Sequence, residues 1–294
     1  AGQPVPEGML LCHFGGVGLW GDVLRATLWP ELRQATIFHG IDLSAVVRRH
    51  GVHLYRHMFR PGHLSVPIAS TWLPVLAILG DPRARYLRLG IDPERFAFRQ
   101  RSMPEADRPI RIITVGRLVP KKGQELVLQA MAQRPKPLRW HYDLVGDGPQ
   151  MEDLKALVSK WGLQDNVTFH GRQSHDACRK LLAEADVFAL PSQTSAEGDM
   201  EGVPVALMEA MASGLPVITS HHSGIVDLVT DGETGMMVRE GDVVGIAAAM
   251  DRLESEPILW DQVTMAARAK VERDYHLRHN TARLAAALDD FQAL

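Results

Sequence analysis

From Ile110 onward, short apolar runs rich in β-branched residues alternate with longer segments in which apolar residues recur at helical spacing. Apolar strands that are separated by helices are typical of a parallel sheet covered on both faces. The pattern therefore predicts a doubly wound α/β unit. The predicted strands are Arg111–Val115, His141–Val145, Val167–His170, Val187–Leu190, Val217–Ser220 and Met236–Val238. The predicted helices are Gln124–Ala132, Met151–Trp161, His175–Glu184, Pro204–Ser213 and Val243–Glu254.

The pattern before Ile110 is weaker but of the same kind, and it predicts a second, smaller α/β unit. Its predicted strands are Met9–Phe14, Ala35–Phe38 and Leu64–Ala69, and its predicted helices are Asp22–Leu28, Ser44–Phe59 and Trp72–Leu79. The charged stretch Phe96–Pro109 is the best linker candidate. A last helix is predicted at Leu277–Ala293. We therefore expect a partial first domain at 1–100, a second domain at 101–274, and a C-terminal helix at 275–294 that packs back toward the first domain.

The composition agrees with a soluble globular protein of about two domains, since the 294 residues are 46% hydrophobic and 23% charged. The net charge of −3 gives no electrostatic reason to expect a nucleic-acid partner. Cys12 and Cys178 lie far apart without metal-ligand spacing, which favours buried thiols in a reducing compartment. Ala1–Glu7 lacks the basic start and apolar run of a signal peptide, so we expect a cytoplasmic protein.

The strongest chemical feature is a segment in which two glutamates lie on either side of a predicted helix start. It contains, in order, Glu201, Gly202, Val203, Pro204, Val205 and Glu209. The proline suits a first helical turn, and the free amides around it, with the helix dipole, favour an anion such as a phosphate. A solvated side chain is the simpler interpretation of one carboxylate alone. Glu209, however, lies among apolar neighbours, where a charge is costly without a partner.

A second feature follows the first strand of the larger unit. Gly116, Arg117 and Lys122 lie between that strand and the next helix, and ligands of open parallel sheets bind beyond the carboxyl ends of strands. Arg117 offers a planar fork for phosphate oxygens, and Lys122 adds a point charge. A basic surface turn is the competing interpretation, which we accept for Lys121.

Together these motifs resemble glycosyltransferase family four, whose members have two facing Rossmann-like domains, the GT-B fold. The matching segments, in the family's order and spacing, are Gly116-Arg117, Lys122-Gly123, Val145–Pro149, Ala185–Ser192 and the pair Glu201 and Glu209. The segments closest to colanic-acid-type exopolysaccharide glycosyltransferases are Gly198–Met211, His222–Ile225, Phe38–Asp42 and Leu89–Phe96. The resemblance covers nearly the whole chain, although it begins in the middle of the family's smaller domain, whose opening strands and Gly-rich loop precede the matched part.

The resemblance implies roles for individual positions. Arg117 and Lys122 would hold the donor diphosphate and stabilise it as it leaves, Glu201 would contact the donor sugar, and Glu209 would bind the ribose hydroxyls. His39 would face the sugar from the smaller domain. The base would be held by backbone near Gly171 and Arg172, and the diphosphate also by Gly116 and by the loop of Gly202, Val203, Pro204 and Val205.

The resemblance also implies a retaining, metal-independent transfer of a hexose without a cofactor. The expected donor is a UDP-sugar in preference to a GDP-sugar, and the expected acceptor is a saccharide or a lipid-linked saccharide in exopolysaccharide synthesis. The chain contains no Asp-x-Asp, and two fixed cations with a helix start can neutralise a departing diphosphate, as a divalent metal does elsewhere.

Two alternatives remain open at this stage. The first is a nucleotide-sugar-binding relic with weak or no transfer activity. The second is a nicotinamide-type oxidoreductase, because Gly16–Gly21 matches G-x-G-x-x-G after an apolar run, with Asp42 at about the distance of a ribose contact.

A basic stretch points to a further partner. Its members, on or just after the predicted helix Ser44–Phe59, are Arg48, Arg49, His50, His53, Arg56, His57, Arg60 and His63. They form either a plain solvated face or a face that rests on anionic lipid at the inner membrane and reaches a lipid-linked acceptor. We also expect a homo-oligomer, because a partial first domain leaves apolar sheet surface uncovered.

Overall fold

The structure is a computed structural model that describes residues 8–293. The stretch Ala1–Glu7, for which we expect no signal peptide, and the last residue, Leu294, lie outside the described residues. Two separate sheets, each with all of its strands parallel, and helices on their faces make up the described chain. This arrangement confirms the predicted α/β class.

The first sheet has the strand order β1-β2-β3. Its strands are β1 (Met9–His13), β2 (Arg33–Phe38) and β3 (His63–Pro67). The helices of this part are α1 (Gly15–Thr27), α2 (Gly40–Leu43), α3 (Ala45–His50) and α4 (Leu73–Leu79). One face of the sheet is covered by α12 (Leu277–Ala293), whose Leu284, Leu288 and Phe291 pack against Ile37, Val66 and their neighbours.

The second sheet has the strand order β6-β5-β4-β7-β8-β9. Its strands are β4 (Ile110–Val115), β5 (Trp140–Val145), β6 (Val167–Gly171), β7 (Val187–Leu190), β8 (Val217–Ser220) and β9 (Met236–Val238). Its helices are α5 (Gln124–Ala132), α6 (Met151–Trp161), α7 (His175–Glu184), α8 (Val205–Ala212), α9 (Ile225–Leu228), α10 (Val243–Ser255) and α11 (Ile258–Asp274). Every residue of the central strands β7 and β8 is buried, which explains the apolar sequence of β7 and of the first half of β8.

The predicted helix Ser44–Phe59 is wrong in extent. Helix α3 ends at His50, and Gly51 follows it with φ of 90°, a backbone conformation that glycine adopts without strain. Residues 52–60 form successive tight turns, in which Tyr55 and Met58 are buried. The apolar spacing that suggested a helix therefore comes from turns that place the same residues in the core.

The chain passes between the two sheets at two places that are hydrogen-bonded to each other. The Ile91 N–H donates to the Tyr275 carbonyl at 2.9 Å, and the Leu277 N–H donates to the Ile91 carbonyl at 2.7 Å. A side chain at Gly90 would lie 2.7 Å from the Leu277 Cα, so the two passages are in close backbone contact. Asn280 adds a side-chain bond to the Leu89 carbonyl at 2.7 Å.

The predicted linker region contains a buried charge. Arg101 is 1% exposed, and its guanidinium donates to the carbonyls of Leu182, Ala183 and Ala185 at the end of α7 and to Ser213 at the end of α8. These are carbonyls that a helix leaves unpaired at its C-terminus. Burial lowers the pKa of Arg101 to about 10, which still leaves the side chain charged at neutral pH. One side chain therefore caps two helices.

We expect Arg101→Met to lower the free energy of unfolding by about 3 kcal/mol, because several buried carbonyls lose a charged donor. Chemical denaturation monitored by circular dichroism measures this change. Arg99→Met is the matched control, since the exposed Arg99 donates only one long bond of 3.4 Å to Ala183. A loss no larger than that of the control would contradict the capping role.

Helix α1 is apolar on its exposed side. Its buried positions include Gly18, Gly21 and Asp22, whereas Trp20 is 73% exposed. Other exposed apolar side chains at helical spacing are Val17, Val23, Leu24 and Leu28. Beside it, β1 is an edge of the first sheet among the described residues. An apolar stripe next to an open strand edge favours association with another surface.

We therefore expect this chain to self-associate through α1. Light scattering over a concentration series should show oligomers, and Trp20→Lys should shift the population toward the monomer. Ile78→Lys on α4 is the control, because Ile78 is 79% exposed but lies outside the stripe. A wild-type monomer at every concentration would refute the expectation.

Candidate functional site

The second sheet divides at one point along its carboxyl edge. The chain proceeds from β4 outward to β5 and β6 and then returns to the other side of β4, where β7 lies. Open parallel sheets bind ligands in the crevice outside the carboxyl ends of the strands at such a point. Here the loops that follow β4 and β7 meet, and the Gln193 N–H donates to the Lys121 carbonyl at 2.9 Å. The β4 loop carries Gly116, Arg117 and Lys122, and the β7 loop carries Glu201.

An ion pair joins the two sides of this crevice. The Lys122 ammonium lies 2.6 Å from a carboxylate oxygen of Glu201, and both side chains are largely buried. Gly123 makes this approach possible, because it has φ of 69° and packs against the backbone of Pro191, where a side chain would collide. Lys122 and Glu201 belong to motifs that are distant in sequence, and the structure brings them into contact.

Glu201 is charged in this setting. Burial alone raises the pKa of its carboxyl, but the positive charge of Lys122, supported by that of Lys121, outweighs burial and holds the pKa below its ordinary value. A carboxylate buried without such a cation would be neutral. The crevice therefore contains a fixed anion and a fixed cation at neutral pH.

The loop before α8 is held at three successive residues. The Asp199 carboxylate pairs with Lys121 at 2.9 Å, and the Met200 N–H donates to the Ser44 hydroxyl of the first-sheet part at 3.2 Å. The Glu201 N–H donates to a ring nitrogen of His222 at 2.9 Å. Lys121 is thus a support of the site, and its interpretation as a plain surface turn is wrong. Lys121 has this role through a contact with a residue distant in sequence, which the local sequence pattern does not predict.

Beyond Glu201 the loop presents unpaired donors. The N–H groups of Gly202 and Val203 donate to no other residue within 8–293, and Pro204 precedes Val205, the first residue of α8. Gly202 packs on Ile68 at the end of the first sheet. The predicted anion-binding amides therefore lie at the helix start, directly after the Lys122–Glu201 pair.

The first sheet meets the crevice at His39. A side chain at the next residue, Gly40, would lie 2.7 to 2.8 Å from backbone atoms of Met200 and Glu201, so α2 begins against the Glu201 loop. Burial, with a smaller effect of His13, lowers the pKa of His39 to about 4, which leaves its ring neutral at pH 7. The ring of Phe14 stacks on it with 4.3 Å between centroids. Phe14 has φ of 70°, an uncommon backbone conformation for a bulky residue.

The remaining phosphate-side and base-side positions lie along the same edge of the sheet. Arg117 is exposed, and its guanidinium pairs with no side chain in the described part of the chain, so it is available to a ligand. Gly171 ends β6 with open space at the position of a side chain, and Arg172 next to it is exposed. Both residues therefore lie at the carboxyl edge of the second sheet.

Glu209 lies apart from the Lys122–Glu201 pair. It lines a cavity of about 290 Å³ together with His175, Arg179 and residues of the segment 91–96. Burial raises the pKa of Glu209, and His175 and Arg179 oppose this effect in part. Because His175 begins α7 three residues after Arg172, this cavity adjoins the positions predicted for the base.

The glycine motif Gly16–Gly21 does not form a loop. It lies inside α1, where a side chain at Gly18 would be 2.7 Å from Thr36 and one at Gly21 would be 2.8 Å from Cys12. These glycines let the helix pack closely on the sheet. Asp42 is buried and accepts the His39 N–H at 2.8 Å. The geometry that an oxidoreductase would need at these residues is therefore absent.

The basic stretch is mostly exposed, with one exception. His63 lies in β3, is buried, and bonds to the Thr36 hydroxyl at 3.0 Å. Burial lowers the pKa of His63 to about 3, so it contributes no charge to the surface. The side chains of the other seven residues are exposed. No helix within residues 8–293 has the length and apolar character needed to cross a bilayer.

Comparison with known proteins identifies what this arrangement is similar to. The profile of the family "Glycosyl transferases group 1" matches residues 96–270. The chain is 37% identical over 292 residues to the putative colanic acid biosynthesis glycosyltransferase WcaL of Escherichia coli K12, covering 97% of this chain and 71% of that protein. It is 36% identical over 294 residues to the amylovoran biosynthesis glycosyltransferase AmsK of Erwinia amylovora, covering 98% and 71%.

Among solved structures, the fold resembles that of Anabaena Alr3699/HepE in complex with UDP-glucose. The TM-score is 0.80 at 20% identity, and the superposition covers 95% of this chain and 78% of that one. At this identity the likeness concerns the fold, which is that of the GT-B glycosyltransferases.

Asp42 supplies a pH-dependent test of the first-sheet side of the site. Burial raises its pKa to about 6, although the N–H groups of His39 and Gly15 oppose the change. The folded state therefore holds this proton more tightly than the unfolded state, and stability falls as pH rises between about 4 and 6. Relative to wild type, Asp42→Asn should gain about 2–3 kcal/mol of unfolding free energy between pH 4 and pH 7.

Denaturant titrations of both proteins at the two pH values measure the difference, and His39 titrates in both, so its contribution cancels. A difference between the two proteins that does not change with pH would show that Asp42 is ionised in the fold at an ordinary pKa.

Proposed function

We propose that this chain, which belongs to the family of group 1 glycosyl transferases, moves a hexose from a nucleoside diphosphate sugar onto a saccharide acceptor with retention of configuration. The observation that carries the proposal is the Lys122–Glu201 pair at the crevice between β4 and β7, with the start of α2, directly after His39, packed against the Glu201 loop. A cation, an acidic hydrogen-bond acceptor and free helix-start amides are then next to one another. This set suits a phosphate joined to a sugar.

The proposed chemistry assigns separate tasks to the two sides of the crevice. Arg117, Lys122 and the amides of Gly202 and Val203 would bind the diphosphate and stabilise its negative charge as the bond to the sugar breaks. The Lys122 ammonium has three N–H donors, so it can serve a phosphate oxygen while it stays beside Glu201. Glu201 would accept hydrogen bonds from sugar hydroxyls, and the neutral His39 ring would face the sugar from the other side.

The proposed classes of donor and acceptor are based on what the similar proteins bind or are named for. HepE binds UDP-glucose in its structure, which supports a UDP-sugar here in preference to a GDP-sugar. WcaL and AmsK are named for the synthesis of the exopolysaccharides colanic acid and amylovoran, which supports a saccharide or lipid-linked saccharide acceptor. We further propose that transfer needs no metal and no cofactor, since Arg117 and Lys122 supply the positive charge that a metal would otherwise bring.

The first test is donor binding. Arg117→Ala and Lys122→Ala should each weaken UDP or GDP binding about tenfold or more, because each removes a charge-assisted contact worth about 1.5–3 kcal/mol. Glu209→Ala should weaken binding of the nucleoside part. Glu201→Ala should lower the affinity for the nucleotide sugar more than the affinity for the free nucleotide. Isothermal titration calorimetry with UDP, GDP, UDP-sugars and GDP-sugars measures these affinities for all four variants.

The control for these variants is Lys155→Ala, which removes an exposed lysine of α6 that pairs with Glu152.

Repeating the wild-type titration with a chelator tests the metal proposal, and binding should not change. Nucleotide affinities of Arg117→Ala and Lys122→Ala equal to that of the wild type would refute the donor assignment. A strict need for manganese or magnesium would show that the phosphate site has been misassigned. A transfer assay with labelled donor then separates an active enzyme from a binding relic.

The second test concerns the membrane. The exposed basic residues after α2 lie next to Val52, which is 50% exposed, and an apolar tip among cations suits an anionic lipid surface. Vesicles with anionic lipid should capture the protein, added salt should release it, and the double variant Arg49→Glu, Arg56→Glu should lower capture more than tenfold.

The matched control is Lys155→Glu, Lys160→Glu, which makes the same change of charge on α6. Equal recovery from neutral and anionic vesicles would favour a plain solvated face. An equal loss in both double variants would indicate a response to net charge alone.

A further inference from the structure

The backbone of Glu201 rests on a histidine that the donor roles above do not use. The Glu201 N–H donates to His222 Nε2 at 2.9 Å, and the His222 side chain is 0% exposed. Since a backbone N–H can only donate, Nε2 must be the ring nitrogen without a proton. Residue 222 lies two positions after the end of β8, the strand beside β7, and so reaches the Glu201 loop from the next strand of the sheet.

The other ring nitrogen completes a chain of hydrogen bonds. His222 Nδ1 lies 2.6 Å from a carboxylate oxygen of Glu240, and because Nε2 is the acceptor, Nδ1 carries the hydrogen and donates it. The second oxygen of Glu240 accepts the Thr194 N–H at 2.8 Å. Burial alone raises the pKa of Glu240, but its bonds with His222 and Thr194 hold the pKa below its ordinary value. A charged acceptor thus selects one tautomer of a buried ring.

We propose that His222 and Glu240 are positioning residues for Glu201, and that they set the affinity for the sugar half of the donor. This inference rests on the proposed function, since it assigns a support to the residue that would bind the sugar. Neither residue touches the donor in this proposal. Glu240 fixes the tautomer of His222, and His222 then fixes the backbone of Glu201.

Two contacts at opposite ends of Glu201 give this support its effect. Lys122 holds the carboxylate, and His222 holds the main-chain nitrogen. With both ends held, the Glu201 side chain has one direction. Without the histidine, Lys122 would still attract the carboxylate, but the loop backbone could rotate. Hydrogen bonds to sugar hydroxyls depend on direction, whereas attraction to a diphosphate depends mainly on charge.

The first experiment observes the tautomer. Long-range proton–nitrogen correlation spectra of the ¹⁵N-histidine-labelled protein should show His222 protonated at Nδ1 only, with the signal assigned by its loss in His222→Gln. A spectrum with the proton at Nε2 would overturn the hydrogen-bond chain, and this readout is independent of any activity.

The second experiment separates the sugar from the nucleotide. His222→Leu should weaken nucleotide-sugar binding about tenfold, as expected for a buried N–H that loses its acceptor. The affinity of His222→Leu for free nucleoside diphosphate should fall less than threefold, and this retained binding also shows that the variant is folded. His222→Gln should recover most of the loss, because its amide oxygen can reach the position of Nε2. Glu240→Ala should give a smaller loss of the same kind, and Glu240→Gln less still.

His221→Gln is the matched control, since it is the exposed neighbour of His222. Equal nucleotide-sugar affinities of wild type, the control and His222→Leu would overturn the positioning proposal while leaving the proposed function intact. Equal losses for the nucleotide and the nucleotide sugar would also overturn it, because they indicate a general collapse of the site. Wild-type protein that binds no nucleotide sugar at all would instead refute the proposed function.

Discussion

The site depends on the reversal of strand order at the centre of a parallel sheet. Because β4 lies between β5 and β7, the chain leaves β4 and β7 in opposite directions along the sheet, and the loops after these two strands meet at the carboxyl edge. Lys122 and Glu201 come from these two loops and pair there. The position of the site is therefore a product of chain topology first, and of side-chain chemistry second.

A carboxylate beside a phosphate site is an electrostatic conflict that the surroundings have to resolve. In the proposed site Glu201 would repel the donor diphosphate, yet the proposed sugar contacts need an acceptor at that place. Lys122 offsets the charge of Glu201 by pairing with it. Lys121 does the same for Asp199 on the same loop. Asp199 and Glu201 are therefore already paired, and the exposed Arg117 is left for the proposed ligand.

Much of the fold could be predicted because apolar runs and helical spacing are local properties. The sequence predicts the strands of the second sheet within one residue of their ends, since each is a short run bounded by turns and the central strands β7 and β8 are buried on both faces. The helix predicted at Ser44–Phe59 failed where tertiary contacts override spacing. Helix α11 could not be placed, because its alternation of charged and apolar residues is weak.

The site divides in the same way. Arg117, Lys122 and Glu201 belong to motifs that can be recognised along the chain, and their loops lie where the strand order implies. Lys121, Glu240 and Arg101 could not be recognised, because each acts on a partner distant in sequence. The role of Asp42 as a cap for His39 was likewise hidden by its place near a glycine motif that proved to be helical.

The two passages of the chain between the sheets restrict how the halves can move. Ile91 bonds to Tyr275 and to Leu277, so the passages run side by side as a short parallel ribbon, and Gly90 is pressed against Leu277. A single connecting strand would leave the two sheets free to rotate about it. Two passages that are hydrogen-bonded to each other resist that rotation. The pairing at Ile91 therefore restricts the arrangements in which α2, which begins after His39, can pack against the Glu201 loop.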